Sequence, residues 1–383
     1  MEPINRLAQA ERAMLGAPSH ALAETIRDVL ASTYGATSAD LLLIDYRMTV
    51  LRSVLDASAR HQVSGSPAGT AFVEQRPIVA GEQIYVPMTV QGGDRAGVVA
   101  VRLAEPADEP MLAELVELAA AAAQSLVVAD QVTDRFRDAR RTERLTLAAE
   151  MQWQLLPGRA LRRAEFTLGG QLEPAYAVRG DTFDWTADAD NLTVAVTNGF
   201  GDGVGASLLT ALAVYALRNA RRAGLGLADQ AALADQAVYS QHRGDRHVET
   251  LLLRFELATG RVHAVDAGSP QVFRLRGAAA ERIELEAQLP LGMFDGTVYD
   301  AQEFSVQPGD RLFVISDGVP DATVRDGRYG ELALERMMLA IRSAPPGEAV
   351  RLLLADLIEQ HAGEQGLDDD AVAVCVDWTG RAG

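Results

Sequence analysis

Apolar and polar positions change rhythm three times along this 383-residue chain. Residues 18–34 follow a helical period, and three β-rich runs come next: "LLLIDYRMTVLRSVL" (41–55), "IYVPMTV" (84–90) and "AGVVAVRLA" (96–104). Turn-rich pieces separate them, most clearly "SGSPAG" at 64–69 and "QGGDRAG" at 91–97, as strand–turn alternation requires. Helix, meander and closing helix predict one sheet with helices on one side over residues 1–128. From Pro110 to about Leu156 the pattern predicts one continuous helix ended by Pro157. Val128, Val132, Phe136 and Ala139 recur at spacings of four and three, while "DRFRDARRTER" alternates charge around them. Such a stripe suits either one long helix lying on its own domain or, with these charged flanks, a two-helix coil. The second is favoured, so residues 129–157 are expected to be a coiled-coil-like connector and 110–156 a homodimer seam.

Beyond residue 158 the rhythm becomes many short strands and two helical blocks. Strands are expected at 166–173, 181–186, 191–198, 249–256, 260–266, 271–276, 281–286, 300–305, 311–316 and 371–377. Helices are expected at 205–222, 228–241, 331–343 and 347–361. Strands and helices cluster and do not alternate. This predicts an α+β domain over 158–380, with two sheets flanked by helices.

Composition narrows the partners. The net charge is −18, and all 35 basic residues are arginine, which argues against nucleic acid or an anionic membrane as the main partner. A single cysteine, Cys375, sits in the strand-like run "AVAVCVDW", so disulfides and a thiolate zinc site are excluded. The N-terminal stretch lacks the apolar core of a signal peptide. The apolar run 112–130 carries Glu114 and Glu117 and reads as too polar to span a bilayer. A cytoplasmic protein is expected.

The chemistry lies at strand ends. Asp181 and Asp184 follow Gly180, Asp317 precedes Gly318 at the end of "RLFVIS", and Asp368, Asp369 and Asp370 open the last strand. The run "NLTVAVTNGFGDGVGASLL" (191–209) adds a strand ending on Asn198 and a glycine turn into a helix. Clustered carboxylates repel unless a cation neutralises them, and oxygen-only ligands favour Mg²⁺ or Mn²⁺. Singly, each acid also reads as an ordinary turn residue; the ordered set points to a site. A dinucleotide fingerprint at Gly201–Ala206 fits poorly, because Asp202 would face the pyrophosphate and the later acid is missing. "RNARRAG" (218–224) reads as a helix C-terminal cap. His242, His247 and His263 lack metal-ligand spacing, and Trp153 and Trp185 read as packing residues.

This ordered set resembles the PPM-type metal-dependent protein phosphatases, in the bacterial SpoIIE/RsbU-type branch. "QLLP" (154–157) resembles the family's opening motif, and "RGDTFDW" stands at a GGDxxDW-like stretch. "DAGSPQVFRL" (266–275) stands at NAGHPP, and "PLG" (290–292) matches directly. "SDGVPDA" matches DGxxEA, and "DDDAVAV" the acid pair before the last strand. The resemblance implies an αββα sandwich in which Mn²⁺ or Mg²⁺, one or two ions, activates a water that attacks phosphoserine or phosphothreonine. No catalytic side chain beyond that water is implied. Asp181, Asp317 and Asp369 would be ligands with the Gly199 carbonyl; Asp184, Asp202, Arg179 and Asp370 would be auxiliary. The implied partner is a small phosphorylated regulatory protein of the anti-sigma-factor-antagonist type.

The family's metal-bridging aspartate is replaced by Asn198 and its GHG histidine by Asp202. Arg179, Asp266 and Ser269 are further departures. A bridging carboxylate gives one oxygen to each of two metals about 3.5–4 Å apart; an amide has one carbonyl oxygen and no charge. Two readings stay open: a phosphatase with an altered metal site, and a degenerate domain that binds a phosphoprotein or partner helix without turnover.

The first region resembles a GAF domain, on the order of its elements and on "IYVPMTVQGGDRAGVVAVRL". The chain lacks the lysine of the cyclic-nucleotide signature, and the region lacks a cysteine for bilin attachment. A small-ligand sensor and a fold that only dimerises both remain open.

Overall fold

The computed structural model describes residues 3–381 except 143, 176–177, 326 and 362–366. The chain divides into two compact units, Met1–Arg144 and Leu145–Gly383.

The first unit contains α1 (Pro3–Gly16), a 3-10 turn (Ser19–Ala21), α2 (Leu22–Tyr34), β1 (Ala36–Ile44), β2 (Val50–Ser53) and β3 (Arg60–Gln62). These are followed by α3 (Pro67–Glu74), β4 (Ile78–Ala80), β5 (Gln83–Thr89), β6 (Arg95–Leu103), α4 (Glu109–Ala129) and α5 (Arg135–Arg140). The strands form one antiparallel sheet in the order β3-β2-β1-β6-β5-β4. The apolar run at 41–55 is two strands, because the Asp45 carboxylate accepts hydrogen bonds from the N–H groups of Thr49 (2.7 Å) and Val50 (2.9 Å) and closes a turn. Leu41 and Leu43 bury against α1, α2 and α4, whereas Leu42 and Ile44 bury with Ala68, Ala71 and Phe72 of α3. Helices therefore cover both faces, correcting the one-sided expectation. The turn-like "SGSPAG" hides the start of α3: Ser66 Oγ caps it by accepting from Gly69 N (2.9 Å), and Pro67 takes the first helical position.

The continuous helix over 110–156 is not formed. α4 ends at Ala129 and α5 covers only Arg135–Arg140. In the next unit α6 (Leu147–Leu155) starts afresh after Thr146, whose hydroxyl accepts from Ala149 N (3.2 Å). Short polar side chains offer the backbone local partners that compete with a helix. The predicted seam breaks with it. Phe136 is fully buried in the core of the first unit, while Val128 and Val132 are 66% and 72% exposed. The homodimer contact expected along 110–156 thus has no single stripe to form on. Residue 143 lies outside the described residues.

α4 also corrects the polarity judgement, since its 21 residues are long and apolar enough to cross a membrane. One side of it is core: Leu115, Leu118, Ala122 and Leu126 are buried against the sheet cluster. Glu114 is buried but satisfied by Arg6 (2.9 Å) and the Tyr34 hydroxyl (3.1 Å).

The second unit continues with β7 (Ala160–Arg162), β8 (Phe166–Glu173), β9 (Thr182–Ala187), β10 (Asn191–Asn198), α7 (Gly203–Arg222) and α8 (Leu227–His242). Then come β11 (Glu249–Glu256), β12 (Arg261–Ala267), β13 (Gln271–Arg276), β14 (Ala279–Arg282), β15 (Gln302–Ser305) and β16 (Arg311–Ile315). A small ribbon of β17 (Thr323–Val324) and β18 (Gly327–Arg328) precedes α9 (Gly330–Ala340), α10 (Pro346–Gln360) and β19 (Ala371–Trp378). Two antiparallel sheets result, ordered β15-β12-β11-β10-β9 and β14-β13-β16-β19-β8-β7.

Alternation along the strands builds the layers. Ala195, Leu252 and Val265 pack outward on Leu209, Ala213 and Ala231 of α7 and α8. Phe313, Ala373 and Cys375 pack outward on Leu334, Met338 and Leu353 of α9 and α10. The neighbouring glycines 169 and 170 show how tightly the layers meet. A Cβ on Gly170 would lie 2.7 Å from the Trp185 ring of the opposite sheet, and one on Gly169 would lie 2.5 Å from Gly347 of α10. The predicted helix–sheet–sheet–helix order is observed. Trp185 stacks on Phe183 with ring centroids 4.9 Å apart, inside the sandwich.

Candidate functional site

Register brings the acidic strand ends to one edge. β9 pairs with β10 from Thr182 opposite Thr197, which leaves Asp181 beside Asn198, and β10 pairs with β11 so that Asn198 faces Glu249. In the other sheet Ile315 pairs with Ala373, so Asp317 leaves β16 where Asp369 and Asp370 lead into β19. Two glycines let these turns close. A Cβ on Gly199 would lie 2.1 Å from Arg179 O, and one on Gly318 would lie 1.9 Å from Asp370 O.

Asp181 is fully buried, and its carboxyl is pushed well above the usual range, by burial first and then by the charges of Asp370, Asp317 and Asp369. Its Oδ1 accepts from Gly199 N (3.2 Å), while Oδ2 is buried without a partner. Burial also raises Asp317, against the lowering effect of its hydrogen bond from Ser269 and with further raising by Glu249. Asp369 is pushed up to about 6 by burial and then by Asp317, partly offset by the Asp370 N–H and by Arg179.

Asn198 is buried as well. Its Nδ2 donates to Ser269 Oγ, its Oδ1 has no partner, and Ser269 Oγ donates to Asp317 Oδ2 (3.1 Å). Ser269 N in turn donates to Glu249 Oε2 (3.0 Å).

The auxiliary acids divide. Asp370 is spent on the scaffold: it accepts from the backbone N–H groups of Ala175 (2.7 Å), Arg179 (2.9 Å), Gly180 (2.8 Å) and Asp181 (3.1 Å) and from Gln152 Nε2 (2.6 Å). It fixes the loop that carries Asp181. Asp184 does not join the cluster. It lies within β9, where its carboxylate meets Arg218 (2.9 Å) and Arg221 (3.1 Å) of α7. Those arginines are therefore more than a helix cap, and Arg218 also donates to Leu155 O (2.8 Å). Asp202 is exposed at the start of α7 and makes no side-chain cap bond. The Arg179 side chain is exposed. Gly199 is engaged through its N–H.

Three residues escaped sequence reasoning as site members: Gln152, Glu249 and Ser269. Gln152 of α6 is buried and donates both to Asp181 O (2.6 Å) and to Asp370. Only the departure from NAGHPP hinted at Ser269; Glu249 becomes visible only through strand register.

Among the described residues, no group of three or more His, Cys, Asp or Glu side chains is arranged to hold a metal by itself. The donor set nevertheless suits a hard cation: every candidate ligand atom is an oxygen, Asp181 Oδ2 and Asn198 Oδ1 are buried without a partner, and none of the clustered acids has an ion pair among the described residues.

The sequence model for Stage II sporulation protein E (SpoIIE) matches residues 188–379, half of the chain. The chain belongs to the SpoIIE family. The matched segment takes in Asn198, Asp317 and Asp369, and Asp181 lies just before it. The chain is also similar to phosphoserine phosphatase RsbU of Bacillus subtilis, 19% identical over 216 residues, which cover 56% of this chain and 64% of that one. It thus spans less than two thirds of that relative's length.

Two solved structures share the fold of the SpoIIE-family unit. One is the PP2C phosphatase domain, with a regulatory fragment, of SpoIIE from Bacillus subtilis. It is 18% identical with a TM-score of 0.51, covering 58% of this chain and 66% of that one. The other comprises RsbU and RsbW domains of a Mycobacterium tuberculosis protein, 22% identical with a TM-score of 0.50, covering 60% and 63%.

Proposed function

We propose that this protein is a metal-dependent phosphatase of phosphoserine or phosphothreonine on a regulatory protein. One observation carries the reading: buried and half-buried carboxylates meet at one sheet edge, without an ion pair among the described residues and with Asp181 Oδ2 and Asn198 Oδ1 unsatisfied. A buried charge persists only when something compensates it. Asp181, Asn198, Gly199, Asp317 and Asp369 would hold Mn²⁺ or Mg²⁺, which when bound lowers the pKa of water and polarises a phosphoryl group. Asp370 keeps the Asp181 loop in place through its backbone bonds. The exposed Arg179 is suited to meet a substrate phosphate. The name of RsbU, a phosphoserine phosphatase, supports phosphoserine as the group hydrolysed.

The first unit is proposed as a GAF-like sensor, supported by its single antiparallel sheet with helices on both faces. Segment α6 is its proposed point of action on the site. Gln152 reaches both Asp181 and Asp370, and Ala148 O accepts from Ser207 of α7 (3.3 Å). The binding-only reading draws on Asn198, because an amide bridges two cations poorly. Mn²⁺ calorimetry with p-nitrophenyl phosphate turnover separates them. Turnover that disappears in Asp317→Asn is expected; a wild type that is silent until Asn198→Asp restores turnover would establish the binding-only domain.

A further inference from the structure

Asn198 and Ser269 both stand where the resemblance leads one to expect other residues, and in the structure they are bonded to each other. Ser269 has one hydrogen and two lone pairs. An ionised Asp317 can only accept, so that hydrogen goes to Asp317 Oδ2, 3.1 Å away. Ser269 Oγ must then accept from Asn198, which places Nδ2 on the serine and leaves Oδ1 as the free end of the amide. That oxygen is buried and unpartnered, as is Asp181 Oδ2. The backbone of Ser269 is itself held, since its N–H donates to Glu249 Oε2 (3.0 Å), and Gly268 closes so near Glu249 that a Cβ would lie 2.3 Å from Glu249 Cβ.

We propose that Ser269 is a positioning residue that locks the Asn198 amide with Oδ1 available to a cation, and that this pair makes a site for one divalent ion and not two. The proposal rests on the phosphatase reading above and deepens it. Without the hydroxyl, the amide can turn and offer its NH₂ donors to the cation, and Asp317 loses its donor. With the hydroxyl, the amide presents one neutral oxygen, enough for a single ion but without the second oxygen and the charge that a bridge supplies. Asn198 and Ser269 thus act as a matched pair. Once position 198 carries a carboxylate there is no amide to orient, and the serine matters less.

The test titrates MnCl₂ alone, without substrate, by calorimetry into the full chain. The proteins are wild type, Ser269→Ala, Asn198→Asp and the double variant, each checked by thermal unfolding. Wild type is expected to bind one Mn²⁺, and Ser269→Ala to weaken it about tenfold or more. Asn198→Asp is expected to bind two ions, with Ser269→Ala changing affinity less than about threefold in that background. Ser269→Thr keeps a hydroxyl and should hold wild-type affinity; Ser269→Cys, a weak hydrogen-bonding group of similar size, replaces the alanine variant if that one does not fold. Equal affinity with and without the hydroxyl, or two ions in wild type, overturns the inference and leaves the phosphatase reading standing. No Mn²⁺ uptake by any of the proteins, together with no p-nitrophenyl phosphate turnover when the same samples are assayed separately, overturns both.

Discussion

The same sandwich contains two kinds of buried or half-buried acid. Asp184 and Asp310 are almost fully buried, yet each has guanidinium partners: Arg218 and Arg221 for the first, and Arg276 in a two-pronged contact (2.7 Å each) for the second. Asp181, Asp317 and Asp369 are gathered at one edge beside Asp370, which backbone N–H groups and Gln152 satisfy, and among the described residues none of the four has an ion pair. Their carboxyls are all pushed up, whereas Asp310 is lowered, because its burial is outweighed by Arg276, the Gln307 N–H and Arg274 together. An acid that stabilises the fold is supplied with its countercharge by the chain; an acid left without one waits for an ion or a proton from outside.

The largest break in this comparison should come from Asp317→Asn. Turnover of p-nitrophenyl phosphate should fall by about a hundredfold or more, while the metal-free protein unfolds at the same or a higher temperature, because a repelling charge has gone. A clear loss of metal-free stability would place Asp317 with the structural acids. Removing both arginines, as Arg218→Met with Arg221→Met, should do the reverse. Asp184 is then left buried and unpaired, so urea unfolding should lose about 3–5 kcal/mol.

Mn²⁺ itself sharpens the contrast. At about a hundred times its Kd it should raise stability by about 2.7 kcal/mol through linkage. EDTA should reverse the effect, and Asp181→Asn should remove it, while the arginine-paired acids leave it unchanged; thermal melts with and without the ion decide this. The smallest effect is expected from Arg276→Gln. The lowered carboxyl of Asp310 contributes stability above the ordinary carboxylate range, and that stability is lost as pH falls through its folded value. The variant should therefore be less stable near neutrality and should show a flatter loss below about pH 4, measured by urea unfolding at a series of pH values.

Much of the second unit was legible because its signals are local. β8, β10, β11 and β13 fall on the expected ranges, since alternation and turn residues fix strand identity within a few positions. The first unit was harder. α3 hid behind "SGSPAG", whose serine and proline are as much a helix start as a turn. The heptad-like stripe at 128–139 read as a seam because spacing alone does not distinguish a partner helix from a core, and Phe136 found its burial inside its own unit. In the candidate site, Asp181, Asp317 and Asp369 stood out by position. Gln152 and Glu249 did not, because a buried glutamine on a helix and a glutamate at a strand start carry no mark until another strand or helix is laid beside them.

By itself the sequence determined the two-sheet layering and the acids at its strand ends, because periodicity and turn chemistry act over a few residues. Only the tertiary structure decided which acids became neighbours. Asp181 and Asp184 are three residues apart, yet one joins an uncompensated cluster and the other meets two arginines of α7. The pleat turns successive side chains to opposite faces, and what waits on each face is set by distant strands and helices. The same holds for Asn198: its letter was visible from the start, but the serine that orients it lies 71 residues away in sequence.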